Sequence, residues 1–76
     1  MVGKTMLQAT FMKLKLKSDV VEIHRHRLGL TPRQLGIFLG MTRQGYQDMI
    51  KRRSASRSSD LAKLFSMDEK ELVVIE

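Results

Sequence analysis

Two threonines, Thr31 and Thr42, stand directly before short apolar-periodic stretches, with Gly40 and Met41 between those stretches. Thr31 followed by Pro32 is a helix opening. The hydroxyl accepts from a first-turn N–H group that has no other partner, and proline tolerates the first helical position. Leu35, Phe38 and Leu39 form the apolar stripe that follows, and Gly40 ends it. Thr42 caps a further helix, along which Tyr46 and Met49 line the inner face. Helices joined by so short a turn cross closely, which demands a small residue at the crossing and a left-handed residue in the turn. Gly36 meets the first demand and Gly40 the second.

Little else can be built around that pair. The 76 residues make one small domain, 1–76. A chain of this length buries only about 60–65% of its unfolded surface and commonly leans on a partner subunit. Cysteine is absent, which removes disulfides, thiol nucleophiles and Cys-based zinc sites together. No apolar run approaches the roughly 18 residues that span a membrane. Met1 to Lys17 carries four lysines and no long apolar stretch, a poor signal peptide. A cytoplasmic protein is therefore expected. The 14 basic and 8 acidic residues give a net +6, unevenly spread: residues 1–57 carry +9 and residues 58–76 carry −3. A basic body of this kind points to an anionic partner, most often nucleic acid.

The flanking segments read as follows. Phe11 to Lys17, within an N-terminal arm of residues 1–17, alternates apolar residues with lysine. That period of two predicts a half-buried strand with Leu14 and Leu16 inward, its edge protected by lysine. Asp19 followed by Glu22 predicts a helix running to Leu28 and stopping at Gly29, with Val21 and Leu28 on one face and His24 between them. RRSASRSS, residues 52–59, is a polar loop. Ser58 or Ser59 then caps a fourth helix with Leu61, Ala62, Leu64 and Phe65 inward. Leu72, Val73, Val74 and Ile75 form a β-branched run that predicts a strand. It can pair with the strand at 11–17 within one chain or between two, and these four residues are the expected core of a dimer interface.

With these elements in place, LTPRQLGIFLGMTRQGYQDMIKRR, residues 30–53, resembles the helix-turn-helix of the lambdoid repressor and Cro superfamily, also called the XRE family. The matching features are Leu28-Gly29-Leu30-Thr31, Leu35, Gly40, the hydrophobe Met41, Thr42 as cap, and apolar Tyr46 and Met49. The likeness extends over about residues 19–70, with the helix-turn-helix at 31–51. It departs from the family pattern at Gly36, where alanine is usual, at Gly45 inside the third helix, and at His24, where leucine is usual. The extended segments at 11–17 and 72–75 also lie outside the usual helical core. The fold this implies is mainly α: a lambda-repressor-like four-helix domain with short N- and C-terminal β-strands in a small antiparallel sheet.

The resemblance further implies that the third helix enters the major groove of double-stranded DNA and reads base edges with Arg43, Gln44, Gln47 and Asp48. The chemistry suits those positions: arginine can bond guanine O6 and N7 together, and glutamine adenine N6 and N7. Asp48 has two readings, accepting from cytosine N4 or pairing along the helix with Lys51 or Arg52, and the helix pair is favoured. Phosphate contacts are expected from Thr31, Arg33, Gln34, Thr42, Lys51, Arg52, Arg53 and Arg57, together with the free N–H groups opening the second helix. The implied protein is a phage or mobile-element transcriptional repressor, bacterial or phage-encoded, nucleoid-associated and acting as a homodimer on a pseudo-palindrome. It needs no cofactor and no small-molecule substrate.

Other features carry less. His24 and His26 point in different directions on a helix, so one metal ion cannot readily use both. Met41 and Met49 are gap-filling core. Tyr46 has core spacing rather than the exposure of a base-stacking ring. The serines at 54–59 have no base implied beside them, which leaves nucleophilic catalysis without support. Lys13 to Lys17 is too short for a membrane anchor. Two rival functions remain: an antitoxin or antirepressor holding a protein partner with the same fold, and a nonspecific architectural DNA-binding protein.

Overall fold

The computed structural model describes residues 14–76. The chain passes through β1 (Leu14–Leu16), α1 (Ser18–Arg27), α2 (Pro32–Phe38), α3 (Arg43–Arg52) and α4 (Ser58–Phe65), then a 3-10 turn (Glu69–Glu71) and β2 (Val73–Ile75). The described residues are thus mainly helical, with four α-helices and a two-stranded antiparallel sheet. The Phe11 to Lys13 part of the predicted strand lies outside the described residues, as does the rest of the arm before it.

The α2–α3 pair forms as its local chemistry demands. Thr31 Oγ1 accepts from Gln34 N at 3.1 Å, while Thr31 N donates to Gln34 Oε1 at 2.9 Å. Two orphan donors of the first turn are satisfied reciprocally. The turn closes through Met41 N, which donates to Gly36 O at 2.8 Å, and Gly40 there has φ +71°. Thr42 Oγ1 then accepts from Gly45 N at 3.0 Å and starts α3. Gly36 is buried at the crossing, where an added Cβ would lie 3.1 Å from the backbone oxygens of both Met41 and Thr42. Backbone packs on backbone here, with no side chain between.

The first helix lies where the sequence places it: α1 has Asp19 in its first turn, Leu28 as its cap and left-handed Gly29 directly after, though no side chain caps its start. Ser18 Oγ donates to Ile50 O at 2.7 Å and so ties α1 to α3. Other details differ from expectation. Leu28 is 52% exposed, because α1 gives its buried stripe to Val21 and Arg25, four residues apart. Phe38 is 65% exposed. The buried arc of α2 centres on Leu35, Gly36 and Leu39, and a residue three positions after Leu35 falls off it once Gly36 must face α3. Neither Ser58 nor Ser59 caps α4. Arg57 holds the cap position without a side-chain bond, and buried Ser58 Oγ sits between Ala55 O at 2.9 Å and Glu69 Oε2 at 2.5 Å. Ser58 is drawn inward because it closes the loop against the 3-10 turn.

The sheet is formed within the chain, with Leu14 opposite Ile75, Lys15 opposite Val74 and Leu16 opposite Val73. Lys17 N extends it by donating to Leu72 O at 2.7 Å. Leu72 is therefore not an interface residue. It is fully buried with Leu16, Val21, Leu35, Leu39, Tyr46, Met49, Leu61 and Ala62 in the core, because it lies between the 3-10 turn and β2 and faces the helices. Leu64 and Phe65 pack half-buried against that core, and the Phe65 ring stacks on His24 with centroids 5.3 Å apart.

Opposite outcomes are expected for two glycines. Gly36→Val forces methyl groups against the Met41 and Thr42 carbonyls and lowers stability by about 1–3 kcal/mol. At Gly45 an added Cβ would meet only Thr42 Oγ1 at 3.4 Å and Met41 Cβ at 3.5 Å, ordinary contacts. Gly45→Ala therefore gains helix propensity, up to about 1 kcal/mol. Urea unfolding midpoints at constant m-value check both.

Candidate nucleic-acid interface

The outward face of α3 is built by the core requirement of its inward face. Tyr46 and Met49 are buried, so Arg43, Gln44, Gln47, Lys51 and Arg52 are exposed, and Asp48 is half-buried at the boundary. Arg43, Gln47 and Lys51 recur every four residues and form one stripe along the helix. Thr31, Arg33 and Gln34 are exposed at the start of α2, and Thr42 at the start of α3. The fold thus brings the base-reading candidates to one face. Among the described residues, Arg33, Arg43, Lys51 and Arg52 make no ion pair.

Other expected contacts are engaged elsewhere. Thr42 Oγ1 and Gln34 Oε1 serve as helix-capping acceptors. Arg57 lies 3.8 Å from Asp60 Oδ2, an exposed and loose pair. Arg53 departs most from the expectation of a free phosphate contact. It adopts φ +55° as the left-handed end of α3, its Nε donates to Leu16 O at 3.1 Å, and its two terminal nitrogens meet the Glu76 carboxylate at 2.9 and 2.7 Å. The reason is topological: β1 ends beside the last turn of α3, where Leu16 N also donates to Arg53 O at 2.9 Å, and β2, paired with β1, is followed directly by Glu76. Asp48 forms no ion pair with Lys51 or Arg52 among the described residues, so the favoured helix pairing is not made. It lines a cleft of about 210 Å³ with Met41, Gly45, Met49, Arg52, Ser54 and Ser56, between α3 and the loop after it.

A buried polar strut sets the position of α3. Tyr46 is 1% exposed, and its hydroxyl donates to Glu22 Oε2 of α1 at 2.7 Å. Arg25 Nε donates to the same Glu22 oxygen at 2.7 Å, and its NH1 donates to Leu30 O at 2.7 Å, just before α2. Three segments meet in one network. No buried side-chain nitrogen or oxygen among the described residues is left without a partner. The Arg25 hydrogen bond holds the Glu22 carboxyl below its usual 4.5; burial opposes that shift and the Tyr46 hydroxyl adds to it. Burial, followed by the bond to Glu22, raises the Tyr46 phenol, which keeps it protonated as a donor. The sequence held a signal for this strut. Arg25 sits four residues after Val21 and three after Glu22, a charged residue on an apolar stripe beside an acid that can pair with it.

No protein-family model, curated protein or solved structure matches the chain. Among the described residues no helix is long and apolar enough to cross a membrane. No group of three or more His, Asp or Glu side chains among them is placed to hold a metal ion.

Removing the strut's hydroxyl has a pH signature. A carboxyl whose folded pKa is depressed stabilises fully above its unfolded value and loses that contribution as pH falls through the folded one. Tyr46→Phe is expected to cost about 1–2 kcal/mol at neutral pH, the range for a hydrogen bond to a charged, partly exposed acceptor. The cost shrinks as Glu22 protonates below its ordinary value of 4.5. Urea unfolding of both proteins across the acid range measures it.

Proposed function

We propose that this chain is a sequence-specific DNA-binding regulator of transcription, built on a lambda-repressor-like helix-turn-helix domain. The observation that carries the reading is the α2–α3 unit. Its helices meet through the buried backbone of Gly36, its turn is left-handed at Gly40, and its second helix is capped by Thr42 with Arg43, Gln44 and Gln47 exposed directly after the cap. A helix presented in this way by a shorter helix behind it fits the major groove.

In this reading Arg43 bonds guanine O6 and N7, while Gln44 and Gln47 address adenine N6 and N7. Asp48, free of a helix partner, accepts from cytosine N4. Lys51 and Arg52 at the end of α3, with Thr31, Arg33 and Gln34 at the start of α2, hold the phosphates on either side of the groove and fix the register. Bound across a promoter, the protein blocks polymerase access. That role calls for no cofactor and places it in the cytoplasm, with the nucleoid.

One such unit reads only a few base pairs, so the functional form is a homodimer on half-sites about 34 Å apart. With Leu72 inside its own core and half-buried Val73 packed against it, the dimer seam falls to Val74 and Ile75 of β2; Ile75 is 62% exposed. Ile75→Lys is expected to shift the protein toward monomer in sedimentation equilibrium without lowering its helix content.

The DNA reading is tested by selecting bound duplexes from a random pool and titrating the selected site. Arg43→Ala and Gln44→Ala are each expected to lose about 1–3 kcal/mol and to relax preference at one base position. Survival of affinity and preference in the double variant sinks the recognition assignment. Equal affinity for every duplex marks an architectural protein instead. A stoichiometric protein partner with no DNA affinity marks an antitoxin or antirepressor.

A further inference from the structure

Arg53 follows Lys51 and Arg52 at the end of α3, yet of these three cations it alone is paired. Its Nε is fixed to Leu16 O at 3.1 Å, and the outer edge of the guanidinium, NH1 and NH2, receives both oxygens of Glu76. We propose that Glu76 is an internal stand-in for a DNA phosphate, holding the outer edge of Arg53 and withholding one backbone contact until it is displaced. The inference rests on the DNA-binding reading and adds a regulatory contact at the end of the proposed reading helix.

The chemistry of the pair supports the exchange. A carboxylate and a backbone phosphate each offer two anionic oxygens that the guanidinium fork can take bidentately, so one can replace the other on the same edge. Both side chains are open to solvent, 39% and 48% exposed, so a duplex can reach the pair and the carboxylate can leave it. Exposed ion pairs are weak and are screened by salt, which keeps displacement cheap. The Nε bond to Leu16 is separate from the pair. When Glu76 swings away, the guanidinium stays anchored with its outer edge free, beside the exposed Lys51 and Arg52. Glu76 directly follows β2, so the pairing of that strand with β1 carries the carboxylate to the guanidinium. Glu76 is also one of the five acids that make residues 58–76 net −3 beside a basic body. The proposal gives that acidic end a specific partner.

The test uses the full chain and a random-sequence duplex of about 20 base pairs, titrated by fluorescence anisotropy between about 50 and 200 mM salt, because phosphate contacts appear in the salt dependence of affinity. Glu76→Gln is expected to tighten binding about fivefold near 0.15 M salt and to steepen the log–log salt slope by about 0.9 for each bound chain, the signature of one added phosphate contact. Glu71→Gln removes the same charge from an exposed residue that makes no ion pair among the described residues, and it should leave the slope unchanged. Adding Arg53→Ala to Glu76→Gln should return the slope to that of the unmodified chain. Thermal unfolding of each variant shows whether its fold is intact. If Glu76→Gln and Glu71→Gln behave alike, or if the double variant keeps the steeper slope, the inference is overturned and the DNA reading stands. If no variant binds the duplex or a selected site, the DNA reading falls and this inference falls with it.

Discussion

The hydrogen bond from Tyr46 to Glu22 is the contact on which the arrangement of the helices depends. Tyr46 is the largest of the fully buried side chains, and its ring occupies the core with Leu16, Leu35 and Leu61. A phenol that deep must find an acceptor, since an unpaired buried hydroxyl costs about 1–3 kcal/mol. Glu22 provides the acceptor and Arg25 balances its charge, while Arg25 also reaches the Leu30 carbonyl. The Tyr46 hydroxyl and the inner edge of Arg25 are satisfied in this way only when α1, the approach to α2 and α3 are in register together. Apolar contacts alone would allow those helices to slide more readily than directional hydrogen bonds do.

A second constraint works at the start of α3. At Gly36 the helices touch through backbone, so the angle between α2 and α3 is set by carbonyl oxygens rather than by adaptable side chains. The strut holds α3 at Tyr46, and the crossing holds its cap at Thr42. Its exposed stripe is therefore presented on a rigid element, which suits any partner that must be read by geometry. The end of α3 is held differently. There the left-handed Arg53 links the helix to β1 through part-buried bonds with Leu16, and to Glu76 after β2 through an exposed ion pair.

The elements with strong local chemistry were legible in the sequence. Thr31 with Pro32, Gly40 and Thr42 act in the structure as their side chains and backbone preferences require, and Gly36 lies at the crossing as its size suggests. The alternation of leucine and lysine at 14–16 becomes a strand, and Tyr46 and Met49 face inward. Expectations failed where several local solutions compete. Ser58 and Ser59 are adequate caps by type, but Ser58 is needed inside the loop. Phe38 is apolar enough for the core, but the crossing at Gly36 turns it outward. Leu72 reads as one of four equivalent strand residues, and only the packing of the helices separates it from Val74 and Ile75.

The sequence by itself determined where helices start and stop around residues 31–42, which residues of α3 are apolar, and that its other face carries Arg43, Gln44 and Gln47. These follow from bonds spanning three or four residues and from helical periodicity, which a linear chain displays directly. Tertiary structure alone decided that Arg25 is buried, that the two strands pair within one chain, that Arg53 is engaged by Glu76, and that Asp48 makes no ion pair with Lys51 or Arg52. Each depends on groups brought together from distant parts of the chain, or on a choice among partners of similar local merit. Such choices are settled by which arrangement leaves no buried donor or acceptor unsatisfied across the whole core, a condition that no local stretch of sequence can express.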